Sequence, residues 1–326
     1  MKIGVCSKTN YFGKLMPGDD INYIDYLFHS LRKKHEVILF NWRNVSKNLD
    51  AKDIIVGNSK QFHKEKYLNL SDCDLLFLKQ LGKVYGDENN FVNFLNILRS
   101  DFSGRIINPL DTMIKGFNKN YLFRLQKEGL PVIPTKKLNP NWKLEKIKKI
   151  NFDSGCYHGV PNDYVIKPIE FGEKGESVRT ISSFDSDLDL HNFLSKKGKT
   201  FLIQPYMESI KSKGENSFIF LGKNFSHAVN KLSGDFLINW DANSPGRTKY
   251  SFYNPTRKEL GICNEVLDSW PDHLGYSRID FIYDSNQPFI GEVEVVNPSF
   301  YVENLPGFID TFIPKLGKFL EDKIRK

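Results

Sequence analysis

The feature that most constrains this chain is a pair of alternating segments, Arg278-Ile-Asp-Phe-Ile-Tyr283 and Gly291-Glu-Val-Glu-Val-Val-Asn-Pro298. Successive side chains of a β-strand lie on opposite faces, so the charged residues of each segment share one face and the apolar residues share the other. A turn centred on Asn286 would place Asp280 opposite Glu292. The pattern therefore predicts a β-hairpin with one charged face and one face in a hydrophobic core.

Three carboxylates on the charged face predict a site for a divalent cation. Cross-strand neighbours lie about 5 Å apart, so Asp280, Glu292 and Glu294 would repel one another unless they shared a cation or a proton. An open site with only oxygen ligands suits Mg²⁺, which usually bridges a few carboxylates to nucleotide phosphates. The alternative is an exposed charged face on which Arg278 neutralises Glu294 across the strands.

Length and charge limit the classes of partner. The chain has 326 residues, 40% of them hydrophobic, which is enough for two or more cores. The net charge of +7 comes from lysines spread along the chain, without an arginine-rich block. Small anionic ligands are therefore expected rather than a nucleic acid. No apolar segment approaches the roughly 20 residues that span a bilayer, so no membrane partner is expected.

The four cysteines are far apart and form no CxxC pair. This spacing disfavours a zinc site and a disulfide framework and is typical of a reducing compartment. The N-terminal segment 2–6 has the pattern of a strand and not of a signal peptide. Together these features predict a cytoplasmic protein.

The order of apolar patterns predicts an α/β protein. Strands at 2–6, 36–41 and 74–79, with a helix at 21–34 after the first, give the β-α-β start of an open, mostly parallel, Rossmann-like sheet. No GxGxxG follows the first strand. A second α+β region follows, with strands at 164–167 and 201–206, a hairpin within 217–231, the carboxylate hairpin and a final helix at 309–323.

Seven short motifs follow one another along the chain. They are Asn118-Lys-Asn-Tyr121, Pro131-Val-Ile-Pro-Thr135, Val165-Ile-Lys-Pro168, Gln204-Pro-Tyr206 with Gly214-Glu215, Phe225-Ser-His-Ala228, Ser277-Arg-Ile-Asp280 and Gly291-Glu-Val-Glu-Val-Val-Asn-Pro-Ser299. In this order they resemble the ATP-grasp superfamily, in particular bacterial glutathione synthetases and the carboxylate–amine ligases that close the ring of cycloserine. The resemblance covers essentially the whole chain. It implies a Rossmann-like domain at 1–108, a lid subdomain with its connecting helix at 109–200, and a C-terminal subdomain with the metal site at 201–326, the last two clasping ATP.

The resemblance implies that two lysines and one loop bind the ATP phosphates. Lys119 and Lys167 match the phosphate-binding lysines of the family, and Gly172, Gly175 and Ser177 match the loop that closes over the phosphates. The alternative for a lysine is a solvated surface position. Lys167 ends an apolar strand directly before a proline, which favours the phosphate-binding role.

The adenosine-binding positions follow from the same resemblance. Gln204, Tyr206 and Met207 match the hinge that reads the adenine base, although an ordinary buried strand explains the last two equally well. Glu208 and Glu215 match acceptors for the ribose hydroxyls.

Two arginines are the catalytic candidates. Arg247 in Ser-Pro-Gly-Arg matches the arginine that steadies the transferred phosphoryl group, and a planar guanidinium suits this role because it donates two parallel hydrogen bonds. Pro245 replaces a glycine of the family pattern. Arg278 either contacts phosphate or neutralises Glu294. His227, beside Phe225 on a predicted strand, is expected to be a core or pocket-wall residue rather than a base.

The resemblance implies the metal ligands and the reaction. Asp280, Glu292 and Glu294 match the magnesium ligands, with two ions expected and Mn²⁺ as the alternative metal; Glu294 replaces the more usual asparagine. The implied reaction joins a small amino-acid-like carboxylate to an amine through an acyl-phosphate, using ATP. The alternatives are a small-molecule kinase and an inert ATP-binding module. A homo-oligomer is an open alternative to a monomer.

Overall fold

The computed structural model describes residues 1–7, 23–81, 84, 87–154, 157–159, 161–170, 178–195, 200–233, 248–270 and 274–325. Within these ranges the strands form sheets of six, four, five and two strands. None of the helices in these ranges is long and apolar enough to cross a membrane.

The six-stranded sheet lies at the N-terminal end of the chain, in the order β4-β3-β2-β1-β5-β6. β1 pairs in parallel with β2 and β5, and β5 with β6, as the sequence predicts. The two antiparallel strands β3 and β4 were not predicted, because β4 is mostly exposed and too polar to show an apolar face. The strands are β1 (Lys2–Cys6), β2 (Glu36–Phe40), β3 (Asp50–Gly57), β4 (Phe62–Asn69), β5 (Leu75–Phe77) and β6 (Arg105–Ile107).

Helices cover both faces of this sheet. The helix α1 (Tyr23–Leu31) packs beside α9 (Ile309–Arg325) on one face, and α2 (Glu88–Asp101) and α3 (Leu110–Gly116) pack on the other. The amphipathic pattern accounts for α1, since its buried side chains recur at helical spacing. The helix ends at Leu31, three residues before the predicted end at 34.

The four-stranded sheet has the antiparallel order β11-β10-β12-β7. The predicted domain boundary at 200 would cut this sheet, because its strand β12 begins at residue 201. The sheet consists of β7 (Lys136–Leu138), β10 (Tyr164–Pro168), β11 (Arg179–Thr180) and β12 (Phe201–Pro205), with helices α5 (Leu144–Ile147) and α6 (Asp187–Ser195) beside it and α4 (Asn120–Lys127) before it; β8 (Phe152–Ser154) and β9 (Tyr157–Gly159) form the two-stranded sheet.

The five-stranded sheet is fully antiparallel, in the order β15-β14-β13-β16-β17. One face packs on the helix α8 (Arg257–Ser269). The other face is apolar towards the six-stranded sheet and charged at the opposite end. The strands are β13 (Glu215–Leu221), β14 (Asn224–Ser233), β15 (Thr248–Phe252), β16 (Tyr276–Asp284) and β17 (Gln287–Glu294), and the short helix α7 (Ile210–Lys213) precedes them.

Asn108 joins the six-stranded and five-stranded sheets. Its buried side-chain amide donates to the carbonyls of Tyr276 at 2.7 Å and Val295 at 2.8 Å, and its oxygen accepts the N–H of Tyr276 at 2.8 Å. The hydroxyl of Tyr276 lies 2.7 Å from the carbonyl of Leu78, just beyond β5. The carboxylate hairpin is therefore fixed at one end to the edge of the six-stranded sheet.

Candidate active site

The predicted carboxylate hairpin is present as β16 and β17. Asp280 pairs with Glu292 and Arg278 with Glu294, as the sequence predicts. The turn is one of two residues at 285–286, so it lies half a residue earlier than predicted. A register shift at Gly291 compensates, because this extra residue in β17 restores the predicted pairing.

An ion pair lies at the centre of the charged face. The Arg278 guanidinium donates to the Asp280 carboxylate at 2.9 Å from Nε and 2.9 Å from one terminal nitrogen. The Ser217 hydroxyl donates at 2.5 Å to the same carboxylate oxygen that accepts from Nε. Arg278 is only 4% exposed and Asp280 only 2%. Arg278 also approaches Glu292 at 3.8 Å, and its charge favours the ionised form of Glu294 across the strands without a direct ion pair.

The two glutamates of β17 lie in different environments. The Lys119 ammonium is 3.6 Å from Glu292. Although burial opposes ionisation, Lys119, Lys167 and Arg278 hold the pKa of Glu292 below its ordinary value. Burial raises the pKa of Glu294. Unequal pKa values in neighbouring carboxylates are expected where a proton or a cation is shared.

Two lysines face the carboxylates from the four-stranded sheet and α4. The Lys167 ammonium donates to the carbonyl of Gly291 at 3.2 Å, and burial lowers its pKa to about 8. The backbone N–H of Lys119, just before α4, donates to the carbonyl of Ile169 at 2.7 Å. This bond holds α4 against the end of β10, so both lysines lie opposite Glu292.

The carboxylates do not form a finished metal cage. Among the residues that the structure describes, no three His, Cys, Asp or Glu side chains converge on one point. Arg278 and Ser217 already occupy Asp280. Glu292 and Glu294 do fit Mg²⁺, which is commonly held by one or two carboxylates together with nucleotide phosphates.

Comparison with known proteins identifies the fold. No protein-family model matches the sequence. The cycloserine biosynthesis protein DcsG of Streptomyces lavendulae is 27% identical over 204 residues, which cover 60% of this chain and 67% of that protein. The crystal structure of D-cycloserine synthetase DcsG matches with a TM-score of 0.68 and 15% identity, over 99% of this chain and 100% of that one.

Two further structures match over nearly the full length. One is the D-alanine–D-alanine ligase from Bacillus anthracis complexed with ATP, with a TM-score of 0.62, 15% identity, and coverage of 98% of this chain and 94% of that one. The other is a RiPP-associated ATP-grasp ligase from Chryseobacterium gregarium in complex with ADP and a leader and core peptide, with a TM-score of 0.61, 16% identity, and coverage of 99% and 97%. This chain has the ATP-grasp fold.

The predicted adenine hinge of the ATP-grasp fold follows β12. Tyr206 and Met207 belong to an apolar cluster with Ile133, Ile282 and Phe289, where the four-stranded and five-stranded sheets meet. Gln204 is 3% exposed, and its amide donates to Thr135 at 2.8 Å. The Gln204 side chain therefore braces the sheet interior. Of these predicted hinge positions, Tyr206 and Met207 contribute apolar surface, while any hydrogen bond to a base from this stretch would come from the backbone.

The predicted ribose acceptors differ in their surroundings. Glu208 forms an exposed ion pair with Lys211 at 2.9 Å. Glu215 forms a close ion pair with buried Lys231, which is also 3.9 Å from Asp280. Burial favours a neutral lysine, but Asp280 and Glu215 hold the pKa of Lys231 above its ordinary value. In this arrangement Glu215 belongs to a buried charge network.

Sequence reasoning missed Lys231. A signal for it was present, because His227, Val229 and Lys231 alternate on β14 and Lys231 is the direct cross-strand partner of Glu215. His227 is buried beside Phe308 and Phe312, which agrees with the predicted pocket-wall role.

Several predicted ATP-grasp residues lie outside the described residues. These are Gly172, Gly175 and Ser177 of the phosphate loop, and Arg247 of the Ser-Pro-Gly-Arg motif with Pro245. Their roles stay predictions.

Proposed function

We propose that this protein is an ADP-forming, ATP-dependent ligase that joins the carboxylate of a small amino-acid-like substrate to an amine. The observation that carries the proposal is the placement of Lys119 and Lys167 opposite the carboxylate hairpin of an ATP-grasp fold. The names of the similar proteins support it, since they include a D-cycloserine synthetase and a D-alanine–D-alanine ligase.

The charges of the site support a nucleotide that binds together with metal. The described residues supply four cations, Lys119, Lys167, Lys231 and Arg278, and four carboxylates, Glu215, Asp280, Glu292 and Glu294. These charges balance, so a triphosphate would add about four negative charges without compensation. A bound magnesium ion would supply that compensation and would polarise the phosphoryl group.

The magnesium assignment follows the donor set. Glu292 and Glu294 would hold the metal, and Asp280 would do so only through the oxygen edges that Arg278 and Ser217 leave accessible. The resemblance implies two ions, with Mn²⁺ as an alternative. A titration of metal into the nucleotide complex counts the ions.

The reaction that these residues suit proceeds in two steps. An oxygen of the substrate carboxylate attacks the γ-phosphorus of ATP, the bond to the β,γ-bridging oxygen breaks, and ADP leaves. The amine then attacks the acyl carbon, phosphate leaves, and the amine loses a proton to give the amide. Lys119, Lys167 and Arg278 would hold the phosphoryl oxygens, and Arg247 would join them. Catalysis of this kind depends on positioning and on electrostatic stabilisation of the transferred group.

An isotope experiment tests the proposal. A phosphate-release screen against pooled amino acids, D-alanine and other small carboxylic acids identifies a productive pair, and mass spectrometry identifies the product. The carboxylate is then labelled with oxygen-18. A ligase must transfer one labelled oxygen into the released inorganic phosphate, whereas unlabelled phosphate beside an amide product would overturn the acyl-phosphate route.

The same screen separates the alternatives. A stable phosphorylated product would identify a kinase, and tight Mg-ATP binding without any turnover would identify an inert module. A Glu292→Gln variant is the control, because it keeps the shape of the side chain and removes its charge. Turnover should fall to background while the folded state remains.

We infer three further properties. The chain divides into the predicted domain and subdomains near residue 108 and just beyond Pro205, five residues after the predicted boundary at 200, because β12 belongs to the four-stranded sheet. The protein acts in the cytoplasm, and it can form a homo-oligomer. Limited proteolysis, cell fractionation and light scattering respectively test these points.

A further inference from the structure

Lys79 is a buried lysine that none of the ATP-binding roles uses. It follows β5 directly beyond Leu78 and is 2% exposed. Its ammonium donates to the carbonyl of Pro298 at 2.5 Å and lies 3.5 Å from the side-chain oxygen of Asn297. Both acceptors are neutral, so the positive charge is buried without a carboxylate on its hydrogen bonds.

The surroundings of Lys79 make this charge costly. The ammonium lies 4.5 Å from the ring centre of Phe300, 5.8 Å from that of Tyr23 and 6.0 Å from that of Tyr276. Burial lowers the pKa of Lys79 to about 7. Aromatic faces attract a cation, but this attraction is weaker than the hydration that the cation loses when it is buried. A lysine here therefore adds little to the stability of the fold.

One of the two residues that Lys79 contacts, Asn297, also binds Glu294. The backbone N–H groups of Val296 and Asn297 donate to one oxygen of the Glu294 carboxylate, at 3.3 Å and 3.2 Å. Lys79 contacts the side chain of Asn297 and the next carbonyl along the chain, that of Pro298. A continuous set of hydrogen bonds therefore runs from the six-stranded sheet to Glu294.

We propose that Lys79 is a positioning residue for Glu294: it holds the segment 296–298, and this segment orients the Glu294 carboxylate for metal binding. The inference rests on the proposed function, in which Glu294 is a metal ligand. Groups that orient a metal ligand typically affect metal affinity by 10- to 100-fold when they are removed. Lys79 would exert this effect without touching nucleotide or metal.

A Lys79→Met variant tests the proposal, because methionine keeps the length of the side chain and removes the donor and the charge. Electron paramagnetic resonance measures Mn²⁺ binding to the complex of the protein with the non-hydrolysable analogue AMP-PNP. The Kd of Mn²⁺ should rise about tenfold or more. The weak binding of a fluorescent ATP analogue in EDTA should not change, and the melting temperature of the free protein should stay at or above that of the wild type.

Lys315→Met is the matched control. Lys315 also donates only to neutral acceptors, the backbone carbonyls of Phe225 and Ser226 at 3.3 Å and 3.2 Å, and these lie outside the segment 296–298. Its Mn²⁺ affinity should equal that of the wild type. If Lys79→Met does not fold, Lys79→Gln replaces it, since the shorter amide cannot keep the bond to Pro298.

The outcomes separate the inference from the proposed function. Unchanged Mn²⁺ affinity in the Lys79 variant would overturn the positioning role. An equal loss of nucleotide affinity in EDTA would also overturn it, because it would indicate a general distortion of the cleft. If the wild-type protein with AMP-PNP binds no Mn²⁺, the proposed function itself fails.

Discussion

The candidate site lies in a cleft between the five-stranded sheet on one side and the four-stranded sheet with α4 on the other. The charged groups on these two sides are paired in different ways. On one side, Glu215, Lys231, Arg278 and Asp280 form a sheet-side network in which each charged group is paired with another. On the other side are the lid-side lysines, Lys119 and Lys167. The Lys119 ammonium lies 3.6 Å from the Glu292 carboxylate, and the Lys167 ammonium lies 3.2 Å from the carbonyl oxygen of Gly291. Buried charges that are paired with one another are needed for stability, because removing one leaves the other uncompensated. Loosely paired lysines can instead release their present partners and bind phosphate.

The strongest test of this comparison is Asp280→Asn. Removing one partner of a buried ion pair leaves the other charge uncompensated, which typically costs about 3–5 kcal/mol. Urea denaturation of the nucleotide-free protein should therefore show a loss of this size in the free energy of unfolding. The matched control is Asp284→Asn, at the exposed end of the same strand, where a change within about 0.5 kcal/mol is expected. A loss at Asp280 no larger than at Asp284 would remove the distinction between the two sides.

The pH dependence of stability should report on the sheet side through His227, on the same strand as Lys231. Burial lowers the pKa of His227 to about 4, and its ring accepts the Ser226 hydroxyl and donates to the carbonyl of Phe300 at 2.8 Å. The unfolded chain takes up a proton below about pH 6.5, and the folded protein only near pH 4. The contribution of His227 to stability is therefore complete above pH 6.5 and is lost towards pH 4, by up to about 3 kcal/mol.

Urea unfolding measured at intervals from pH 7 to pH 4 checks the His227 prediction. Between pH 6.5 and pH 4 the His227→Gln variant should lose less stability than the wild type, because glutamine takes up no proton. His63→Gln is the control, because His63 is exposed on β4. Equal slopes for the wild type and the His227 variant would contradict the prediction.

On the lid side, Lys167→Met should weaken nucleotide binding and leave the fold intact. Loss of a charge-assisted hydrogen bond to phosphate is expected to cost about 1–3 kcal/mol of binding free energy. Because burial already disfavours the Lys167 ammonium, the stability of the free protein should not fall. Calorimetric titration with Mg-AMP-PNP and thermal melting of the free protein measure the two effects.

Lys136→Met controls for the loss of a lid-sheet lysine. Lys136 lies on β7 and donates to the carbonyl of Asn151 at 2.8 Å, away from the carboxylates. Normal nucleotide affinity is expected. If Lys167→Met instead lowered the melting temperature and kept full affinity, Lys167 would belong with the structural charges.

The smallest effect is expected from Thr256→Ala. This variant tests whether a loss of stability away from the candidate site changes nucleotide affinity. Thr256 caps α8 through a capping box with Glu259, and loss of such a cap typically costs about 1 kcal/mol of stability. The helix lies on the face of the five-stranded sheet opposite the cleft, so nucleotide affinity should not change. Thr256→Ser should keep both stability and affinity, and a change in affinity for the alanine variant would show that stability and binding are coupled.

The sequence predicted those parts of the fold that have strong periodic patterns. The parallel strands of the first sheet, the carboxylate hairpin and the final helix all have apolar residues at regular spacing. The antiparallel strand β4 could not be predicted, because its side chains are mostly exposed and polar and pairing alone specifies it. The placement of β12 in the four-stranded sheet also depends on tertiary pairing, which a single segment does not encode.

The candidate site was predictable to a similar extent. Alternation predicted that Asp280 and Glu292 are neighbours, and the resemblance predicted the two lid-side lysines. The actual ion pairs of the sheet-side network were not predictable. Arg278 pairs with Asp280 on its own strand, and Lys231 pairs with Glu215 from the next strand. Long charged side chains choose among several partners, so their pairing depends on burial and on rotamers.

The extra residue at Gly291 also decides which changes of length this strand can accept. Deleting Gly291 alone would leave Glu292 opposite Asp280 and Val293 opposite Ile279, and would remove only the bulge and its local bend. Adding a residue between Gly291 and Glu292 would instead bring Glu292 opposite Ile279 and transfer both glutamates to the apolar face. In aligned sequences, a gap at Gly291 would therefore be compatible with the charged face, whereas a single-residue insertion beside it would not.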